Sequence, residues 1–576
     1  MIRLPTDRKK LLGQSLELVE ACRASQGMRS AYYRLLNAIV ETGRQDGTRS
    51  LINKLYNHLD RLSSHLYSPT SLEFSIDFEN PYPKNILDRG ESAAKILTRE
   101  FERTNTDMMF GRGVFEALKY GSCILKQWPQ EEGEDKEVAF HSSLVMPWQF
   151  GVYREDINNL PDQEVLCETV MLTLSEVWRR IYHLPDADKL FSRIKAHASR
   201  GGGSEENVSF FHQVLSTQQL QTGVQAATKP IPGGIVQMAS NPNYSNIAPQ
   251  LNVDLVKFHE LWVKGEKDYV TIQLVEPDIL IAPAPGFKFS NLLISGDTQS
   301  GKQPYSLIQP NESEGWLWGR SEVTDLIEPQ GLLSQWADDV RRLFGVQIDK
   351  VLAFVGFDGM NDEAYDQFRG AGYASGPVGS SVSDLTPKFP PEAIPMLQFI
   401  IQTMDSMGGF DNILSGKGEP GVRAGNHASQ LLKTASPRLR DRSLLVERQI
   451  AAAADTRLSL MEAKDPHNYW TDGSTMDTIE KSVFKLSDLP EDRRVAVDSH
   501  SGSPIFADDH TQLIFAGVQA GFIDGHTAID ILPYPKKDLL KQRLREKEEK
   551  EAALLQQHPE LLAEMAKKGG GAKGHK

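Results

Sequence analysis

One stretch of the sequence has the residue types and spacing of a nucleotide-binding loop. Residues 296–302 read GDTQSGK and match GxxxxGK, the half of a P-loop whose backbone N–H groups and lysine hold phosphates. The next residue, Gln303, has no hydroxyl for Mg²⁺, and Pro304 follows it. Residues 305–311 show no helical stripe, although a P-loop needs a helix whose N-terminus faces the phosphates. We therefore expect a hairpin turn between two strand-like segments, the second of which is residues 305–308.

No other group of residues suggests catalysis or a bound metal. His58 and His65 lie seven residues apart on a predicted helix, but no cysteine or carboxylate cluster completes a set of metal ligands. The three cysteines are far apart and form no CxxC pair, which fits buried thiols in a reducing compartment: Cys22, Cys123 and Cys167. We expect no metal, no cofactor and no catalytic site, and hence a protein that is not an enzyme.

Length, composition and charge limit the function classes further. The chain has 576 residues, 40% of them hydrophobic, so it is long enough for several domains. It has no run of roughly 18 apolar residues and no apolar stretch near its start, so we expect neither a membrane segment nor a secretory signal. The net charge of −14 argues against a protein that holds DNA by neutralising phosphates.

The strongest pattern begins with a helix that follows the aromatic segment GWLWGR. This first helix is predicted over residues 321–347, with Ser321 as a candidate N-cap. Pro329 and Gly331 are expected to kink it or to separate its first turns. Its apolar stripe includes Trp336, Val340 and Leu343.

A compact segment and a second helix come next. Residues 348–390 are too broken by glycine and proline for another long helix. They are predicted to form a strand, a short helix and a Gly/Ser loop over residues 370–383, and they carry a group of acidic residues: Asp358, Asp362, Glu363 and Asp366. The second helix is predicted over residues 391–409, and its stripe includes Leu397, Ile401 and Met404.

A glycine-rich loop then leads into the longest predicted helix. Residues 410–425 contain four glycines and cannot bury a core, so they are predicted to be an exposed loop. This loop carries Lys417, Glu419 and Arg423. The long helix is predicted over residues 426–464, with a bend at Ser436 and Pro437.

In this order of elements the sequence resembles the portal protein of tailed bacteriophages. The resemblance implies an α+β, mainly helical portal fold with wing, stem, clip, tunnel loop and a C-terminal helical crown region, assembled as a ring. It implies an N-terminal wing over residues 1–320, which comprises a helical start, a β-rich part and a polar insertion at about 201–250. The central elements would be a first stem helix over 321–347, a clip over 348–390, a second stem helix over 391–409 and a tunnel loop over 410–425. The C-terminal part would comprise a long kinked wing helix with a mixed segment over 426–500, a helical hairpin of the wing or crown over 501–540, and a charged helix with a disordered tail over 541–576.

The resemblance also implies a function and its partners. The protein would form a ring of twelve copies at one capsid vertex, assembled in the host cytoplasm and retained in the virion. The ring would be the channel for double-stranded DNA, without sequence specificity, during packaging and ejection. Its other partners would be the terminase large subunit, the major capsid and scaffolding proteins and a head–tail adaptor, with no membrane involved.

Site residues follow from the same resemblance. Lys417, Glu419 and Arg423 would lie near DNA in the tunnel, and the two apolar stripes would pack the stem helices. The acidic residues of the clip would either meet a partner protein or form a solvated face. Two alternatives remain open from the residues alone: a P-loop packaging ATPase, which depends on the GxxxxGK match, and another ring or tail component of a virus.

Overall fold

The computed structural model describes most of the chain in several stretches. These are residues 4–200, without 6, 25, 47, 70–71, 133–136, 183–185 and 198; residues 254–281, without 266–268 and 276–277; residues 303–349, 352–356, 378–408, 437–464 and 469–470; residues 483–497, without 491; and scattered residues from 514 to 547. The described residues form a mixture of helices and strands, which confirms the predicted α+β class.

Five helices open the chain. They are α1 (Arg8–Arg23), α2 (Gln26–Thr42), α3 (Leu55–Leu66), α4 (Lys84–Arg103) and α5 (Thr106–Tyr120). The predicted amphipathic pattern of α3 is confirmed, since the buried residues recur every three or four positions: Leu55, His58, Leu59, Leu62 and Leu66. Helix α1 starts at a carboxylate cap, because the Asp7 side chain accepts a hydrogen bond from the Lys9 backbone N–H at 2.8 Å.

The strands of the N-terminal half and residues 305–308 form two antiparallel sheets. The three-stranded sheet runs in the order β10 (Tyr305–Ile308), β2 (Cys123–Glu132) and β3 (Glu137–Val145). The larger sheet runs β4 (Phe150–Val152), β5 (Val165–Thr173), β7 (Asp254–Lys264), β8 (Tyr269–Val275) and β9 (Asp278–Ile281), and β6 (Ser199–Arg200) pairs with β7. A small separate pair joins β1 (Phe74–Phe78) to β15 (Arg493–Val497).

The six-stranded sheet is covered on both faces. One face packs on α1, through a cluster that contains Leu18, Cys22, Cys167 and Leu261. The other face meets the main core through Trp262 at one end of the strands. At the other end it is covered by α6 (Leu174–Ile181) and α7 (Ala187–His197). Thr173 begins α6 with a capping box to Glu176.

The second half of the chain contains a helical hairpin and the long helix. A 3₁₀ turn (Thr324–Leu326) leads into α8 (Ile327–Asp349), and α9 (Ala393–Met407) returns and packs against α8. Between them, β11 (Leu352–Val355) pairs with β12 (Ser381–Asp384). The long helix is α10 (Pro437–Lys464), and two short strands follow, β13 (Tyr469–Trp470) and β14 (Val483–Phe484).

Two predictions for this hairpin change in detail. Pro329 and Gly331 lie inside α8, which is helical without interruption from Ile327, and Pro329 falls in the first turn, where a missing backbone N–H breaks no helical bond. The preceding 3₁₀ turn is the separated first turn. Residues 381–384, expected to continue the Gly/Ser loop, form a strand instead, since Val382 pairs with Phe354 and Gly379 makes the turn at φ +102°.

Candidate assembly site: the helical hairpin and its base

The base of the hairpin, where α8 and α9 meet the body, is fixed by buried polar contacts. Gln330 Nε2 donates to the Ile52 carbonyl at 2.8 Å, and Gln330 Oε1 accepts from the Lys54 backbone N–H at 3.1 Å. The Ser50 and Ser334 hydroxyls are 2.8 Å apart. These residues hold α8 on the segment that precedes α3, because buried polar groups stay paired in a folded protein.

Two ion pairs add to this attachment. Lys54 Nζ lies 2.6 Å from Asp405 Oδ1 on α9, and Arg44 pairs with Asp338 on α8. All four side chains are between a quarter and a third exposed, so each pair contributes about 0–1 kcal/mol. The pairs therefore orient the hairpin more than they stabilise it.

The residues just before α8 are locked onto the end of α5. Gly121 has φ +95°, and a Cβ placed on it would lie 2.1 Å from the Gly319 carbonyl oxygen, so the two backbones touch. The Gly319 backbone N–H donates to Ser122 Oγ at 2.8 Å, and the Ser321 hydroxyl donates to the Lys119 carbonyl at 2.6 Å. Ser321 also accepts from the Val323 backbone N–H at 3.1 Å, but the N-cap of the 3₁₀ turn is Val323, so Ser321 does not cap the helix as expected.

Beyond its base the hairpin has little cover from its own subunit. Helix α8 buries Gln330, Leu333, Ser334 and Ala337. No residue from 338 to 348, all of them described, is buried. The same helical face continues through Phe344 and Ile348, whose exposed fractions are 44% and 80%. An apolar face that is buried near the body is thus uncovered farther out.

Helix α9 and the strand pair of β11 and β12 also carry exposed apolar side chains. Ile394 and Phe399 on α9 are 47% and 60% exposed. Val355 and Leu385, in and beside the strand pair, are exposed by more than half. Among the described residues, nine of the nineteen large exposed hydrophobic side chains lie between positions 327 and 407. Such a concentration marks a contact surface, since single exposed apolar residues are usually scattered.

The exposed side of α9 is polar along its middle. Gln398, Gln402 and Ser406 recur every four residues and are all exposed. Ile394 flanks this neutral strip on one side and Phe399 on the other. Helix α9 contains no lysine or arginine, and its single acidic residue, Asp405, is paired with Lys54.

The predicted stem residues lie where the two helices pack. Five are half-buried: Trp336, Val340, Leu343, Leu397 and Ile401. Met404 is buried in the main core of the chain, so it reports on the fold of the chain rather than on a contact with another molecule. The sequence patterns missed Phe344, Ile348 and Phe399, although Phe344 and Ile348 keep the four-residue spacing of one helical face.

The other predicted site residues lie outside the described residues. These are Asp358, Asp362, Glu363 and Asp366 in the expected clip and Lys417, Glu419 and Arg423 in the expected tunnel loop. Their roles stay predictions. Residues 201–253 lie outside the description as well, and the C-terminal calls for residues 501–576 are covered only by helical turns between 514 and 547.

The described residues that follow the GxxxxGK match do not form the helix that a P-loop needs. Lys302 lies outside the described residues, but Gln303 is buried and its Oε1 accepts from the Tyr305 backbone N–H at 2.6 Å. A strand begins at Tyr305, and its described neighbour is β2, with Leu307 opposite Ile124. A P-loop lysine opens a helix, and no helix begins here.

The cysteines and histidines behave as structural residues. All three cysteines are free and buried, as predicted, and burial raises the pKa of the Cys167 thiol to about 12. Such a thiol is a poor nucleophile at neutral pH. His58 is buried against the hairpin base, where its Nε2 lies 3.9 Å from Glu322 Oε1. Within the described residues no group of three His, Cys, Asp or Glu side chains is placed to hold a metal.

Two buried charged networks could not be seen in the sequence. Between the two sheets, Lys126 Nζ lies 2.6 Å from Glu168 Oε2 and 3.1 Å from Glu260 Oε2. The Tyr305 hydroxyl donates to Glu168 at 2.8 Å, and Trp262 Nε1 donates to Glu260 at 2.8 Å. The network joins the three-stranded sheet to the six-stranded sheet with one cation and two carboxyl groups.

The second network surrounds Arg457 on α10. This side chain is fully buried, and it donates to Gln127 Oε1 at 2.8 Å and to Ser142 Oγ at 2.6 Å. Glu100 on α4 lies 3.5 Å away. Burial lowers the pKa of Arg457 to about 10, while Glu100 acts in the opposite direction. The guanidinium thereby ties α10 to α4 and to the three-stranded sheet.

Comparison of the sequence with protein-family models and with curated proteins found no match. Of the described helices, none is long and apolar enough to span a membrane.

Proposed function

We propose that this chain is a portal subunit, which forms a ring at one capsid vertex and conducts double-stranded DNA. The observation that supports this most is the helical hairpin of α8 and α9, anchored firmly at its base and apolar on surfaces that its own subunit leaves open. An exposed apolar face of this kind calls for a protein partner. The resemblance in the order of elements names that partner as further copies of the chain.

The hairpin presents two different apolar surfaces. Phe344 and Ile348 belong to α8, and Phe399 belongs to α9. A contact in which one surface of a subunit meets a different surface of the next is heterologous, and such contacts close into a ring when the rotation permits it. The hairpin would then be the stem, the strand pair of β11 and β12 the clip, and α10 the wing helix.

Helix α9 suits a surface beside moving DNA. It has no cation to bind a phosphate, and its exposed strip of Gln398, Gln402 and Ser406 is neutral. Affinity for DNA grows with the number of phosphates that lysine and arginine neutralise, so a helix without either lets a duplex pass. Centring the duplex would fall to Lys417 and Arg423 of the tunnel loop, against Asp411 and Glu419.

The experiment for the DNA-conducting role is the double substitution Lys417→Glu with Arg423→Glu. Rings should assemble normally, because a glycine-rich loop contributes little to subunit contacts, while packaging or retention of DNA should fall. Full packaging and retention at the normal rate would contradict the tunnel assignment. The matched control is Lys302→Ala, which should leave packaging unchanged, whereas a large loss would revive the ATPase alternative.

Another ring or tail component of a virus would show the same exposed hairpin. The two roles separate in their partners: a portal binds the terminase large subunit and a capsid, and a tail component does neither. A pull-down of purified rings with terminase distinguishes them directly.

A further inference from the structure

The carboxylate of Glu322 lies at the meeting point of several elements at the base of the hairpin. Its Oε2 accepts from Arg442 Nη2 at 2.8 Å and from Asn311 Nδ2 at 3.0 Å. His58 Nε2 lies 3.9 Å from Oε1. The side chains of Glu322, Arg442 and His58 are all less than one-tenth exposed. Buried charges at this depth depend on one another, since water cannot replace a lost partner.

These residues belong to parts of the chain that the fold must keep aligned. Glu322 lies just before the 3₁₀ turn that opens α8, and its backbone N–H donates to the Leu118 carbonyl on α5 at 2.9 Å. Arg442 lies in the second turn of α10. His58 lies on α3 against the end of α9, because a Cβ on Gly408 would be 2.0 Å from His58 Cε1.

Gly408 and Pro437 are the described residues on either side of positions 409–436. The first is in contact with His58, and the second begins the helix that Arg442 fastens to Glu322. The outgoing end of that part of the chain therefore approaches Glu322 through His58, and the returning end bonds it through Arg442. The same carboxylate lies two residues before the 3₁₀ turn that leads into α8.

We propose that Glu322 is a shared anchor that couples the first turns of α10 to the end of α9 and to the start of α8. A displacement of α10 then changes, through Glu322 and His58, how tightly the last turn of α9 is held. In a DNA channel this would link the long helix to the stem. The coupling itself needs neither a ring nor DNA, so it goes beyond the proposed function and stands or falls separately.

A cleft next to the anchor makes the coupling adjustable. It has a volume of about 320 Å³, and its lining includes Asn311, Arg320, Glu322 and Arg442. Arg320 in this cleft is paired with Asp325. The cleft leaves room on one side for Arg442 to move without breaking the packed core on the other side.

Hydrogen–deuterium exchange of the full-length protein tests the coupling. Arg442→Met should raise the exchange rate of the backbone N–H groups of residues 404–408 at least tenfold, together with those of residues 437–446. The control is Arg457→Met, which removes another buried arginine from the same helix. It should raise exchange near Gln127 and Ser142 and leave residues 404–408 at the parent rate.

A second variant covers the outcome in which Arg442→Met fails to fold. Glu322→Gln keeps the shape of the side chain and an acceptor for Arg442 but removes the charge, and it should raise exchange at both ends of positions 409–436. Combining Glu322→Gln with Arg442→Met should add little to the larger single effect, because both remove one interaction. Faster exchange at residues 437–446 alone, or additive effects of the two substitutions, would overturn the proposal.

Discussion

Lys126 is a buried cation shared by two buried glutamates, and this ratio of charges makes the protein sensitive to pH. Burial raises the pKa of Glu260 above its ordinary value, Glu168 adds to the rise, and Lys126 opposes it. When the two glutamates keep one proton between them, their single negative charge balances the positive charge of Lys126. A buried site tolerates such a balanced pair better than an excess of negative charge. Burial next to the two carboxyl groups also raises the pKa of Tyr305, which keeps its hydroxyl protonated as a donor.

The pH dependence of unfolding tests this arrangement. A carboxyl group whose pKa is raised on folding stabilises the protein fully below the pKa of the unfolded chain, and that contribution disappears as the pH rises through the folded pKa. Stability should therefore fall on going from acidic towards neutral pH, and Glu260→Gln, which mimics the protonated form, should flatten the slope.

The measurement is a series of thermal melts from about pH 5 to pH 8. Glu91→Gln is the matched control, because Glu91 is two-thirds exposed and pairs only with Lys95 in the described contacts of α4. An exposed pair of this kind contributes about 0.3–0.5 kcal/mol, so the slope should stay that of the parent. An unchanged slope in Glu260→Gln would show that the buried pair does not hold the extra proton.

For the hairpin, burial separates residues that hold one subunit from residues that would join two. Met404 is buried in the subunit core, so Met404→Ala should lower the free energy of unfolding by about 2–5 kcal/mol. Ile348→Ser combined with Phe399→Ser changes side chains that are 80% and 60% exposed, so subunit stability should stay within about 0.5 kcal/mol of the parent while ring assembly is lost.

Denaturant unfolding of a dissociated subunit measures the first effect, and sedimentation of the assembled protein measures the second. Arg341→Ser, an exposed change on α8, is the control for a substitution to serine that removes no apolar side chain. Rings that survive the double substitution with unchanged thermal stability would remove the outer surfaces of α8 and α9 from the proposed interface.

The C-terminal helical turns give a further prediction, about truncation. Leu544 lies 3.0 Å from the position of a Cβ on Gly525, and Leu540 and Leu544 line an apolar cleft with Ile529. A chain that ends after Lys547 keeps these contacts and should unfold at the parent temperature. A chain that ends before Leu540 loses them and should be less stable; equal melting temperatures for the two truncations would show that the contact contributes nothing.

Periodicity was enough to predict the helices that carry one clear apolar face. Helices α3, α8 and α9 appear where leucine, tryptophan and methionine recur every three or four residues. The strand at residues 305–308 was predicted as well, but its described neighbour, β2, lies about 180 residues earlier in the chain. No local pattern specifies such a distant pairing.

The buried networks show why the rest could not be predicted. Lys126 and Glu260 are 134 positions apart, and each sits in a strand where an alternating pattern assigns charged residues to solvent. Arg457 resembles a surface cation in the sequence and is fully buried because Gln127 and Ser142 come from a sheet assembled elsewhere. Sequence spacing locates faces of elements, whereas the partner of each face depends on tertiary packing.

Among the described residues, a packed body carries an exposed projection, which is the hairpin of α8 and α9. The body fixes the hairpin through Gln330, Ser334 and the contact of Gly121 with Gly319. The projection itself has apolar surface on α8, on α9 and beside the strand pair. Assembly through this projection would allow the subunit to fold first and to associate afterwards.

The size and shape of the purified full-length protein test the central claim most directly. A single chain has a mass of 64.3 kDa. The account predicts a closed ring of twelve copies by light scattering, with a central hole in end-on views by negative-stain electron microscopy. A protein that stays at the mass of one chain at every concentration, or that forms only compact dimers without a hole, would contradict it.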